Sequence, residues 1–249
     1  MQNRMNEKQI LILGIGNVLW ADEGFGVRCV EALNQDYQFG ENVKIMDGGT
    51  QGIYLVQHVQ EADVLVVFDA IDYGLAPGTL KTIYNDEVPK FMGAKQMSLH
   101  QTGFQEVLAM AEFTGNYPAD LLLVGCQPVE LEDFGGSLRE EVKAQVQPAI
   151  DIALDYLAQF GISAQRSAGT AQALAPGQLN LSDYEQGRPD EQAACRTGDS
   201  RVIGSAAAGE STKKCVLACH FGLFTPPATR LTVNVVQSSA GLIPRWWAM

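Results

Sequence analysis

Three strand-length apolar stretches constrain this chain more than any other feature: ILILGIGN from Ile10, ADVLVVFDA from Ala62 and DLLLVGC from Asp120. A strand with one face in water alternates apolar and polar residues, whereas a strand covered on both faces has no reason to alternate. Unbroken runs of this length therefore predict parallel strands buried between helices, and they are too short to span a bilayer. Two further β-rich runs, VKIMDGGT from Val43 and GTLKTIYN from Gly78, complete a set of five. Helix-like stretches lie between the runs, over residues 26–33, 52–59 and 103–113. The alternation predicts an α/β fold, a three-layer sandwich with a mainly parallel five-stranded sheet between helices. No long helix fits between Asp72 and Gly78, so GTLKTIYN is expected as an antiparallel edge strand.

A last helix is expected from Ser137, where Glu140 three residues on completes a capping-box pattern. Leu138, Val142, Val146, Ile150, Leu154 and Leu157 follow at helical spacing, Gly161 is a plausible stop, and Pro148 should either kink the helix or divide it in two, with a kink expected. Beyond about residue 163 the text becomes rich in Ala, Gly, Ser, Gln and Pro, without a sustained period. The expected organisation is thus one domain over 1–165 and a low-complexity, poorly ordered tail over 166–249. The tail's apolar runs, CVLACHFGLF and RLTVNVV, are too short to build a core of their own.

Charge is unevenly spread: residues 1–165 carry 23 acids against 9 bases, and the remainder 6 against 8. So acidic a domain repels phosphate backbones, which argues against nucleic acid and favours a cation or a basic protein surface. The first residues, MQNRMNEKQI, contain no apolar segment, so a cytoplasmic protein without stable membrane insertion is expected. Cysteines at 29, 126, 195, 215 and 219 form no disulfide framework, and Cys29 and Cys126 lie in apolar segments that suit buried free thiols. Cys215, Cys219 and His220 form an isolated cluster without a second half, and it is set aside.

Ligands of a parallel α/β sheet collect beyond the carboxyl ends of its strands, so the residues closing each run carry the functional information. Asp22 and Glu23 stand in the glycine-rich turn after the first run, Asp47 opens the DGGT turn after the second, and Asp69 and Asp72 close the third. His100 lies in a later loop, in MSLHQ. Two carboxylates and an imidazole suit a divalent transition metal, with coordination positions left open. Each residue also has a plain structural explanation, as a turn or cap acid or as a packed histidine. Their expected convergence on one rim weighs against that explanation. Gly14 and Gly16 suggest a dinucleotide fingerprint, yet Leu19 stands where its third glycine belongs, and two acids occupy the place of a pyrophosphate. These glycines, like Gly48 and Gly49, read more simply as sites of tight turns and close backbone approach. Neither a GxSxG elbow nor an HExxH helix is present.

Together, LGIGNVLWADEGFGVR, MDGGTQG, FDAIDYGLAPGT, MSLHQTGF and LVGCQP, in this order over roughly residues 9–162, resemble the hydrogenase maturation endopeptidases. LWADEGFG, DAIDYG and MSLHQ resemble more narrowly the branch that serves uptake hydrogenases. The resemblance implies that Glu23, Asp69 and His100 occupy the family's metal-binding positions. It also implies a substrate, the precursor of a nickel-iron hydrogenase large subunit, that brings the nickel with it and loses a short carboxyl-terminal peptide. Asp47 is a candidate catalytic residue, as a base or as a substrate-positioning group, with turn stabilisation as the competing role. Two alternatives stay open: a non-catalytic nickel-binding or precursor-binding chaperone, and a Rossmann-like nucleotide-binding oxidoreductase. The resemblance does not account for the tail after residue 165.

Overall fold

The computed structural model describes residues 7–92, 99–167, 173–174 and 179–187, with the side chains of residues 90–102 outside the description. In chain order the elements are β1 (Ile10–Ile15), α1 (Phe25–Asp36), β2 (Tyr37–Gln38), β3 (Val43–Gly49), α2 (Val56–Gln60), β4 (Val64–Ala70) and β5 (Leu80–Tyr84). They continue with α3 (Glu87–Met92), α4 (Leu99–Phe113), β6 (Asp120–Cys126), α5 (Glu140–Lys143), α6 (Val146–Ala158), β7 (Gln165–Arg166) and α7 (Leu181–Gly187). Short 3-10 turns at Ala21–Gly24 and Gly52–Leu55 lead into α1 and α2.

The five expected runs form one sheet in the order β3-β1-β4-β6-β5. β1 pairs in parallel with β3 and β4, and β4 in parallel with β6. β5 is the antiparallel edge strand, paired with β6. Every residue of β1 and of β4 is buried. Successive side chains of β1 nonetheless enter different cores, as the two-residue period of a strand requires. Ile10 and Ile12 pack with Phe25, Val30 and Leu33 near α1 and with Ile150 and Leu157 of α6. Leu11 and Leu13 pack with Leu55, Val59, Phe104 and Leu108 on the opposite face. The sheet lies between two helical layers, and this double cover is why its central strands show no polar alternation.

The carboxyl-terminal helix differs from expectation. It is divided into α5 and α6 rather than kinked, and Pro148 is the third residue of α6. In the first turn a backbone N–H has no intrahelical partner, so proline there removes nothing. Ser137 does not cap a helix: the N-cap of α5 is Arg139, without a side-chain cap, and Ser137 donates its hydroxyl to Glu185 (2.9 Å). The stretch read as tail contains an ordered helix, α7, seated on the domain. Residues 188–249, with Cys195, Cys215, Cys219 and His220, lie outside the described residues. Contacts divide the chain into Met1–Gly204 and Ser205–Met249, the second wholly outside that description. Among the described residues, no helix is long and apolar enough to cross a membrane.

The first turn of α1 is pressed onto the sheet at Gly26. A Cβ there would stand 2.1 Å from the Phe68 carbonyl oxygen and 2.3 Å from that of Ile15, both rigid backbone atoms. Gly26→Ala is therefore expected to cost about 3 kcal/mol or to prevent folding, as overpacking against backbone does. Gly187→Ala, with no neighbour within 4 Å, should be close to neutral. Urea denaturation of the two variants checks the contrast.

Candidate functional site

The site is built outward from the end of β1. Gly16 has φ +132°, and a Cβ on it would fall 1.8 Å from the Glu23 carbonyl oxygen, so only glycine lets the turn fold back this closely. The Asn17 amide donates to that same carbonyl (3.2 Å), which fixes the backbone of Glu23 against the strand end. Carbonyls of Gly26 and Glu23 fill the space where side chains at 14 and 16 would stand, so both glycines serve close backbone approach.

The two adjacent acids of this turn have different fates. Asp22 is fully buried, and its carboxylate accepts the backbone amides of Val129 (2.8 Å), Glu130 (2.9 Å) and Arg139 (2.7 Å). It is a structural tie between the first loop and the loop joining β6 to α5. Glu23 is half-buried and lies at the rim. The sequence signalled acids in this turn but could not distinguish the fully buried one from the half-buried one. Asp22→Asn would turn amide hydrogens toward amide donors. It is expected to lower unfolding stability by about 3 kcal/mol, measured in urea, because charged buried acceptors are costly to lose.

Asp69 closes β4 opposite Gly125 of β6 and is 1% exposed. The Tyr73 ring lies over Gly125, where a Cβ would meet its hydroxyl oxygen at 1.8 Å. Burial, then the Asp69 charge, then Cys126 push the ionisation of Tyr73 up, so a neutral phenol stands near the carboxylate. Gln127, buried and unremarked in the sequence, holds this loop. Its Oε1 accepts the amides of Tyr73 (2.7 Å) and Leu75 (3.1 Å), and its Nε2 donates to Asp72 (3.0 Å). Asp72 thus serves the loop, and Asp69 lies near the end of the strand.

Asp47 lies opposite Gly14 where β3 ends, one strand over from Glu23's loop. Burial pushes its carboxyl above the ordinary value of 3.8, opposed by the Gly49 backbone amide and by Arg28. Arg28 of α1 is itself buried and pairs with Glu31 (2.7 Å). Glu31 is likewise raised, chiefly by burial, with the Asp47 charge adding to it against the pull of Arg28. With a raised carboxyl the folded state holds protons more tightly than the unfolded one, so stability falls as pH rises above 3.8 through the raised value. Asp47→Asn should remove its share of that fall and raise stability at pH 7, as urea midpoints from pH 3 to pH 8 will show.

β3, β1 and β4 are neighbours, so the structure brings Asp47, Glu23 and Asp69 to the same edge of the sheet. His100 is the second residue of α4, and its imidazole lies outside the described side chains. Among the described residues, no group of three or more His, Cys, Asp or Glu is arranged to hold a metal.

Comparison with known proteins agrees with this architecture. A family model described as hydrogenase maturation protease matches residues 27–156. The hydrogenase expression/formation protein HoxM of Azotobacter vinelandii is 66% identical over 199 residues, covering 80% of this chain and 96% of that protein. The hydrogenase 2 maturation protease of Escherichia coli K12 is 42% identical over 157 residues, 63% of this chain and 94% of its own. Among solved structures, the hydrogenase maturating endopeptidase HybD from E. coli superposes with a TM-score of 0.61 at 40% identity, over 64% of this chain and 98% of that one. The chain belongs to the hydrogenase maturation protease family, and with it to the endopeptidases among the hydrolases.

Proposed function

We propose that this protein removes a short carboxyl-terminal peptide from the nickel-loaded precursor of a nickel-iron hydrogenase large subunit, with Glu23, Asp69 and His100 meeting the nickel that the substrate carries. The observation that supports this reading is that Glu23 stands in the turn after β1 and Asp69 near the carboxyl end of the neighbouring strand β4, at the edge where α/β sheets bind ligands. The donor set, two carboxylates and an imidazole, suits a divalent transition metal already held in part by other ligands. Nickel that arrives with the substrate supplies Lewis-acid polarisation of a carbonyl or a water. The chain's own part is to hold the carboxylates at the strand ends, and Asp47 on the neighbouring strand is the candidate base or positioning group.

Two further features support a peptidase of this kind. A thiolate nucleophile is not available among the described residues: Cys29 and Cys126 are both buried free thiols, and burial pushes Cys126 up to about 12 and Cys29 well above its ordinary value. Large exposed apolar side chains also stand on the carboxyl-end loops: Leu19 after β1, Ile53 and Tyr54 after β3, Leu75 after β4, and Val129 and Phe134 after β6. Such a rim suits an extended polypeptide substrate more than a small polar one. The proposed location is the cytoplasm, without nucleic-acid partners.

Mass spectrometry of a nickel-loaded precursor after incubation with the protein tests the reading. A shortened precursor is expected, and an intact one bound to the protein would make it a chaperone. His100→Ala and Glu23→Gln should each leave the circular dichroism spectrum unchanged and reduce processing by about a hundredfold or more, on the scale of losing a group that acts in the transition state. A folded His100→Ala protein that processes at the normal rate would remove His100 from the site.

A further inference from the structure

Residues 179–187 form a strap held against the domain by contacts of several kinds. The Arg28 guanidinium donates to the Leu179 carbonyl and lies 5.5 Å from the Tyr184 ring centroid. The Glu185 carboxylate accepts from Lys143 Nζ through both oxygens (2.9 Å each) and from the Ser137 hydroxyl (2.9 Å), and the Tyr184 hydroxyl donates to the Gly136 carbonyl (3.3 Å). Arg28 and Ser137 are themselves buried.

The anchor points lie beside the site. Gly136 and Ser137 belong to the loop between β6 and α5, the loop whose amides at 129, 130 and 139 are bound by Asp22, next to Glu23. The same loop is joined to the first one at its outer end. Phe134 packs edge-on against Trp20 (5.2 Å between centroids), and the Gly135 amide donates to the Leu19 carbonyl (2.7 Å). It also carries the exposed Val129 and Phe134. Asp22 thus holds this loop from the site side, and the strap holds it from behind.

The comparisons supply an independent observation. The family model stops at residue 156, before the strap. The A. vinelandii relative matches 199 of the 249 residues, and any stretch of that length in this chain includes residues 179–187. The strap therefore belongs to sequence shared with that relative and lies beyond what defines the family.

We propose that Glu185 is a positioning residue: through Lys143 and Ser137 the strap fixes the β6–α5 loop as one wall of the substrate site, and so determines how well a precursor segment is accepted. This rests on the processing activity proposed above. Because the ion pair is about one-third exposed on both sides, its value is geometric more than energetic. A loosened wall weakens substrate binding while leaving the strand-end acids in place. Glu185→Ala is accordingly expected to raise KM for the nickel-loaded precursor about tenfold with kcat within about twofold of wild type. Glu185→Gln, which keeps an acceptor for Ser137 and Lys143, should recover most of the loss, as should the charge reversal Lys143→Glu with Glu185→Lys.

A second readout is independent of activity. In a Trp246→Phe, Trp247→Phe background of the full-length chain, Glu185→Ala should red-shift the emission of Trp20 as Phe134 moves away from it. Unchanged KM together with unchanged Trp20 emission would overturn the proposal. So would a fall in kcat that tracks a lowered melting temperature, which marks general destabilisation. If the wild-type protein leaves the precursor intact, the processing reading fails, while the Trp20 measurement still decides whether the strap holds the loop.

Discussion

The carboxylate of Asp22 is the constraint on which the geometry of the site depends. It is fully buried and answers three backbone amides from a segment more than a hundred residues away. Burial of a charge is tolerated only where hydrogen bonds replace its hydration, and here they come from main chain, which cannot rotate away. The Asp22 amide in turn donates to the Glu130 carbonyl (3.1 Å). The loop after β1 and the loop after β6 are therefore one unit, although β4 lies between their strands. Glu23 takes its place at the rim because its neighbour is committed inward.

Close backbone packing completes the arrangement. At Gly26 the first turn of α1 touches the carbonyls that end β1 and approach the end of β4, and at Gly16 the chain folds onto the Glu23 carbonyl. Such contacts give the carboxyl edge of the sheet a rigid floor, since no side chain intervenes that could change rotamer. On the β4 side the corresponding task falls to Gln127, whose amide group satisfies two loop amides and one carboxylate at once. Asp22 and Asp72 both perform structural work, holding the loops next to Glu23 and Asp69. The apolar side chains exposed around them give the rim a mixed character, acidic at its centre and apolar at its border.

What the sequence determined by itself follows from local pattern. Continuous apolar runs of strand length, separated by helix-like stretches, spell strands covered on both faces, so the sheet, its parallel core and its antiparallel edge were legible, and the strand ends marked where acids such as Glu23 and Asp69 stand. The same local logic misjudged Pro148, because helical spacing of apolar residues continues across a break whenever the two helices bury the same face. It also assigned Ser137 to a cap, where its hydroxyl instead donates to Glu185 and Arg139 takes the N-cap position. What only the tertiary structure decided are the pairings between distant segments: Asp22 with the amides of 129, 130 and 139, Gln127 with the loop at 72–75, and residues 179–187 with α1 and α5. A fully buried acid and a half-buried one, or a helical strap and a tail, have the same local spelling, and what separates them is the set of partners that the rest of the chain brings within hydrogen-bond reach.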